Sequence, residues 1–120
     1  MKVHVTRDSV AAGDDVKAPH DLTRSFPDSL SPLQLVARIV ADGYLAKIAG
    51  GKATWSAVSG APIAVMAQQW PEPRAVSWRE VAVSEFEQRD GVYLIHFNYH
   101  MQRDPELVLQ ILKELKFRER

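Results

Sequence analysis

Residues 91–100, GVYLIHFNYH, decide how this chain folds. They form its longest run of strand-forming residues. The run opens at the turn Arg89-Asp90-Gly91 and closes before Asp104-Pro105, a helix start. In a strand, successive side chains point to opposite faces. Tyr93, Ile95, Phe97 and Tyr99 therefore share one face, and Val92, Leu94, His96, Asn98 and His100 the other. The first face is aromatic and aliphatic throughout, whereas the second begins apolar and ends polar. The pattern predicts a core strand whose second face gathers unusual polar side chains.

Working outward, Lys2 to Arg7 alternates in the same way, with Val3 and Val5 opposite Lys2, His4 and Thr6. Asp8 to His20 (DSVAAGDDVKAPH) has no periodicity and reads as a long exposed loop. Asp21 to Phe26 reads as a strand antiparallel to the first, stopped by Pro27. Ser31-Pro32-Leu33-Gln34 is a capping box with proline at the first helical position. Leu33, Val36, Ala37 and Val40, widened by Leu35 and Ile39, then predict a helix that stops at Gly43. Lys52 to Ser59 and Pro62 to Trp70 read as a hairpin turning at Gly60. Ala53, Trp55 and Ala57 are placed on one face of it, and Ile63, Val65 and Ala67 likewise share a face. Pro71-Glu72-Pro73 interrupts, and Ala75 to Phe86 reads as a loop with a short helical turn or an extra strand fragment. From Asp104-Pro105-Glu106 onward, Leu107, Val108, Ile111, Leu112 and Leu115 predict a terminal helix with a broad apolar stripe. That stripe must bury against the sheet or against a partner.

At 120 residues the chain fits a single α+β domain spanning 1–120, large enough to bury its own core. It has no cysteine, which excludes disulfides and thiolate metal sites. Lys and Arg number 15, as do Asp and Glu, for a net charge of zero. Nucleic-acid binding, which draws on a surplus of positive charge, is not expected. No apolar run approaches the roughly 20 residues that span a bilayer, and MKVHVTRDSV lacks the apolar core of a signal peptide. A cytoplasmic protein with no membrane partner is the expectation.

The order hairpin, helix, hairpin, irregular stretch, final strand resembles the ubiquitin-like β-grasp arrangement. The resemblance rests on the helix after the first hairpin and on Val83-Ser84-Glu85-Phe86, Asp90-Gly91 and the apolar strand from Val92. It covers residues 1–100 in outline and about 20 residues in detail. It implies a mixed sheet of about five strands, with the first and last strands parallel at its centre and one helix packed across it. The C-terminal helix is an addition to that plan. The chain ends in Arg118-Glu119-Arg120 and its glycine pair, Gly50-Gly51, is internal, so conjugation is not implied. On this plan Val3, Val5, Tyr93, Ile95, Phe97 and Tyr99 face the helix. Lys2, His4, Thr6, His96, Asn98 and His100 share the open face.

Three histidines on one face invite a metal or acid–base reading. However, His96 and His100, four apart along a strand, lie about 13 Å apart. They cannot share one zinc, whose nitrogen ligands sit at about 2 Å; His4 with one of them could. Asp8, Asp14, Asp15, His20 and Asp21 lack the alternating spacing of a calcium loop. Residues 49–54, AGGKAT, lack the spacing of a phosphate loop. No G-x-S-x-G elbow is present, and nothing in the order of residues pairs a serine with a histidine and a carboxylate. Of the aromatic residues, Trp70 stands out as a contact candidate, because it ends a strand just before Pro71. Neither a catalytic residue, a metal nor a cofactor is assigned. The sequence points to a non-catalytic protein–protein interaction module, in the style of a toxin-neutralising immunity protein or an adaptor. Its contact residues would be His4, Asp14, Asp15, Trp70, His96, Asn98 and His100. Two alternatives stay open: a small metal-dependent enzyme or ligand binder using the histidine face, and a homodimeric structural subunit.

Overall fold

Val3, Val5, Ile95 and Phe97 all lie at 1% exposure or less. Such burial requires their two strands to be covered on this face along their length. The computed structural model describes residues 1–9, 21–46, 50–77 and 81–118. Its strands are β1 (Lys2–Arg7), β2 (Asp21–Ser25), β3 (Thr54–Ser59), β4 (Ala61–Ala67), β5 (Arg74–Ala75), β6 (Gln88–Arg89) and β7 (Val92–Tyr99). The helices are α1 (Pro32–Ala41) and α2 (Pro105–Arg118), with a 3-10 turn at Val83–Glu85. The strands form one mixed sheet in the order β2-β1-β7-β3-β4-β5, and β6 pairs with β7. β1 runs parallel to β7, with Val3 opposite Tyr93 and Val5 opposite Ile95; the other pairings are antiparallel. The protein is thus α+β, a mixed sheet with one helix across it and a second helix at its C-terminal end. Five strands have five residues or more, and β5 and β6 add two-residue fragments at the edges.

Local sequence explains the element ends. Ser31 Oγ accepts from the Gln34 N–H at 3.2 Å, and Gln34 Oε1 accepts from the Ser31 N–H at 2.9 Å, which closes the capping box of α1. Gly43 takes φ +79° just past the end of α1. Asp90 and Gly91, at φ 53° and 79°, make the two-residue turn from β6 to β7. Such turns need two left-handed residues, which Asp and Gly adopt most readily.

The main core lies between α1 and one face of the sheet. Leu35, Val36 and Ile39 bury against Val3, Val5, Trp55, Ala57, Ala64, Met66, Ile95 and Phe97. The buried stripe of α1 therefore centres on Leu35, Val36 and Ile39, with Leu33 and Val40 at its margins.

Three expectations from the sequence change. First, β4 does not keep strict alternation. Ala57 pairs with Ala64 and Val58 with Pro62, so Ile63 is the extra residue of a bulge. Ile63 joins the main core while Val65 turns to the opposite face, so the two do not share a face. Second, the strand expected to reach Trp70 ends at Ala67. The segment from Ala75 keeps to its expectation, with an edge strand fragment at Arg74–Ala75 and a 3-10 turn at Val83–Glu85, and Trp78 lies outside the described residues. Third, the apolar stripe of α2 divides. Val108 and Leu109, flanked by Leu112, pack with Val65, Val76 and Trp70 on the sheet face opposite α1. Leu107, Ile111 and Leu115 face outward at 52%, 48% and 49% exposure.

Phe97→Ala removes a fully buried ring and is expected to destabilise by about 3–5 kcal/mol. Ser31→Ala removes only the cap of α1 and costs about 1 kcal/mol. Chemical denaturation of the two variants checks both values and their order.

Candidate functional site

The sheet face opposite α1 is shared between α2, which covers the β4–β5 side, and a polar half over β1, β7 and β3. The parallel register sets Thr6 beside His96. Their side chains meet, with Thr6 Oγ1 2.7 Å from His96 Nδ1. The other ring nitrogen, His96 Nε2, lies 2.9 Å from Asp8 Oδ1. Asp8 follows the last residue of β1 and continues its path, its N–H donating to the Phe97 carbonyl at 3.0 Å. Its second carboxylate oxygen, Oδ2, accepts from the Tyr99 N–H at 2.9 Å. A carboxylate, an imidazole and a hydroxyl are therefore joined in one chain.

The proton arrangement follows from the inventory of donors. An ionised carboxylate only accepts, so His96 Nε2 carries the proton toward Asp8. In the neutral ring Nδ1 then has a free lone pair, and the Thr6 hydroxyl donates to it. Burial by itself raises the pKa of the Asp8 carboxyl. The Tyr99 N–H, the hydrogen bond from His96 and the charges of His96 and His100 outweigh that effect and hold it below the ordinary carboxylate value.

His100 is tied separately. Its Nε2 lies 2.7 Å from Ser56 Oγ, which is almost fully buried. Burial lowers the His100 pKa, Arg103 adds to the effect and Asp8 opposes it, so the ring is held neutral to lower pH than usual. Asn98 lies opposite Ser56 on the same face. His4 Nε2 is 3.2 Å from Asp21 Oδ1 but lacks the alignment of a hydrogen bond. His4, Thr6 and His96 share the lining of a concavity of about 280 Å³.

Of the residues singled out from the sequence, His4, His96, Asn98 and His100 thus share the sheet face expected for them. His96 and His100 spend ring nitrogens on bonds within the sheet. Trp70 lies elsewhere, half-buried against the α2 cluster with the Arg74 guanidinium 4.1 Å from its ring centroid. Arg74 also pairs with Glu106 at 3.2 Å, so the Trp70 turn is fastened to α2. Asp14 and Asp15 lie outside the described residues. Among the described residues no three His, Cys, Asp or Glu side chains are placed to hold a metal ion. No helix there is long and apolar enough to cross a membrane.

The sequence places Thr6 on the open face without a role, weighs Asp8 only as a calcium-loop oxygen, and gives no sign of Ser56. The sequence predicts an exposed loop from Asp8 onward; in the structure Asp8 instead anchors the end of β1. The one available signal was parity: Thr6 alternates with His4 on a strand expected beside β7. No protein-family model matches this chain, and no curated protein or solved structure matches it either.

Both shifts make stability depend on pH with the same sign. His100 is depressed below its ordinary value, so its contribution is full above about pH 6.5 and declines as the pH falls below that. Asp8 is depressed below about 3.9, so its contribution is full above that pH and is lost as the pH falls further. Unfolding free energies measured from pH 8 to pH 2 should therefore fall in two stages. His100→Gln should flatten the near-neutral stage and weaken the acid stage only slightly, since His100 is the last of the groups that hold the Asp8 pKa down. Asp8→Asn should be less stable than wild type near neutral pH, and that deficit should close at the acid end.

Proposed function

We propose that this protein acts by binding a protein partner, and that the outer stripe of α2 is the contact surface. The observation that carries this reading is the row Leu107, Ile111, Leu115. The three lie at four-residue spacing on one side of the helix, each about half exposed. Isolated exposed apolar side chains are ordinary, but a contiguous row is the usual mark of an interaction site. The spacing is that of an amphipathic helix laid in an apolar groove.

The exposed neighbours Glu106, Gln110, Lys113 and Glu114 carry both signs of charge. They do not make the Lys- and Arg-rich polar face of a helix that lies on a bilayer. A protein groove with an apolar floor and a rim of mixed charge fits them. The action is then steric, as in an adaptor or a toxin-neutralising immunity protein that covers a surface of its partner. The parallel pairing of β1 and β7 at the sheet centre supports the ubiquitin-like reading of the scaffold on which the stripe is displayed.

A second reading, self-association, is favoured by the charge order along the same helix. Asp104 and Glu106 begin it, and in its later half Lys113, Lys116 and Arg118 outnumber Glu114. Two copies packed antiparallel would set acidic starts beside basic ends. A net charge of zero leaves no long-range repulsion between copies.

The double variant Leu107→Asp/Ile111→Asp tests the surface. Because both positions are exposed, its unfolding free energy should stay within about 1 kcal/mol of wild type. Affinity for a partner captured from native lysate should fall on the order of 30-fold, the effect of losing one hot-spot residue. Light scattering separates the two readings, since a dimer that dissociates in the variant identifies the partner as a second copy. Undiminished capture of the same partner by the variant would count against the stripe.

A further inference from the structure

The chain of groups Thr6, His96 and Asp8 borders an opening in the protein surface. Thr6 and His96 line the concavity of about 280 Å³, together with Val58, Leu94, Glu87 and Arg89. We propose that this concavity is an acyl-transfer site in which Thr6 is the nucleophile, His96 its general base and Asp8 the group that orients the base. The substrate class is a small, uncharged ester with a short acyl chain.

The geometry carries the roles. Nucleophile and base are 2.7 Å apart, and base and carboxylate 2.9 Å apart, both within reach for proton transfer. Asp8 cannot easily turn away, because its other oxygen is held by the Tyr99 N–H and its backbone by the Phe97 carbonyl. The ring is thereby fixed with Nδ1 toward Thr6, the nitrogen that must accept the hydroxyl proton. Volume and lining define the substrate. About 280 Å³ lies just below the range of roughly 300–1,000 Å³ for ordinary ligand sites, so only a small molecule enters. Val58 and Leu94 suit a short alkyl chain. Glu87 and Arg89 bring one charge of each sign to the lining, so it has no net charge to favour an ionic substrate.

In the reaction, Thr6 Oγ1 bonds to the ester carbonyl carbon while His96 Nδ1 takes the hydroxyl proton. The resulting imidazolium is held by ionised Asp8. The bond from the carbonyl carbon to the alcohol oxygen then breaks, and the alcohol leaves with the proton from Nδ1. The acyl group remains on Thr6 as an ester. Water deprotonated by the same nitrogen releases it as the carboxylic acid and restores the hydroxyl.

The test uses p-nitrophenyl acetate as the small ester, with intact mass and peptide mapping as the readout. Wild type should release p-nitrophenolate, and samples quenched in acid before water releases the acyl group should carry one acetyl group on Thr6. Thr6→Ser, which keeps the hydroxyl, should still be labelled, and Thr6→Val should not. His96→Gln should slow labelling of Thr6 about 100-fold, the scale of general-base assistance. Asp8→Asn should slow it as well, and near-ultraviolet circular dichroism should show each variant folded. The Leu107→Asp/Ile111→Asp variant should label at the wild-type rate, so loss of the partner-binding reading leaves this one standing. Acetyl groups found on lysines alone, or a Thr6 rate unchanged by His96→Gln, would overturn the proposal and leave the three groups as a hydrogen-bonded contact within the sheet.

Discussion

The parallel pairing of β1 with β7 holds the rest of the structure in place. It joins residues about 90 positions apart, so closing it costs chain entropy before any contact is gained. Burial of Val3, Val5, Ile95 and Phe97 under α1 offsets that cost. Once the two strands are adjacent, β2 can pair only with the outer side of β1, and β3 takes the free side of β7. α1 leaves β2, crosses one face, and fills it with Leu35, Val36 and Ile39.

The same pairing creates the polar chemistry of the opposite face. Thr6 and His96 are neighbours because Val5 is opposite Ile95; a shift of one residue would turn either strand inside out. The register that buries the core is therefore the register that joins hydroxyl to imidazole. Asp8 completes the group by continuing past the end of β1 along β7, where a sheet N–H and a ring nitrogen converge on its two oxygens. Such a face is stable because its polar atoms satisfy one another, and it remains open because α2 covers only the β4–β5 side.

α2 gives the protein its second distinct surface. Its contact with the sheet is narrow: Val108 and Leu109, flanked by Leu112, reach Val65 and Val76. The bulge at Ile63 makes this possible, since the extra residue reverses the parity of β4 and presents Val65 to the helix. A helix with apolar residues over so wide an arc cannot bury all of them against one thin seam. Leu107, Ile111 and Leu115 are left facing solvent as a result, and the apolar row and the polar concavity are separate features of one sheet face.

Much of this was legible in the order of residues. Alternation in Lys2–Arg7 and Val92–Tyr99, the box at Ser31 and Gln34, and the turns at Gly60 and Asp90-Gly91 are local signals. Each depends on backbone geometry a few residues long, so the long strands, both helices and the two faces of the central strand follow from local pattern alone. It also placed His4, His96, Asn98 and His100 together, because parity needs no tertiary knowledge once two strands are taken as neighbours. Which side chains meet across those neighbours depends on the packed fold. Asp8 joins His96, and Ser56 joins His100, through contacts 88 and 44 residues apart, to which no local pattern points. The bulge at Ile63 and the division of the α2 stripe were equally hidden, because both depend on how much surface a neighbouring element can cover. Local periodicity specifies which way a side chain points, whereas packing specifies what it finds there.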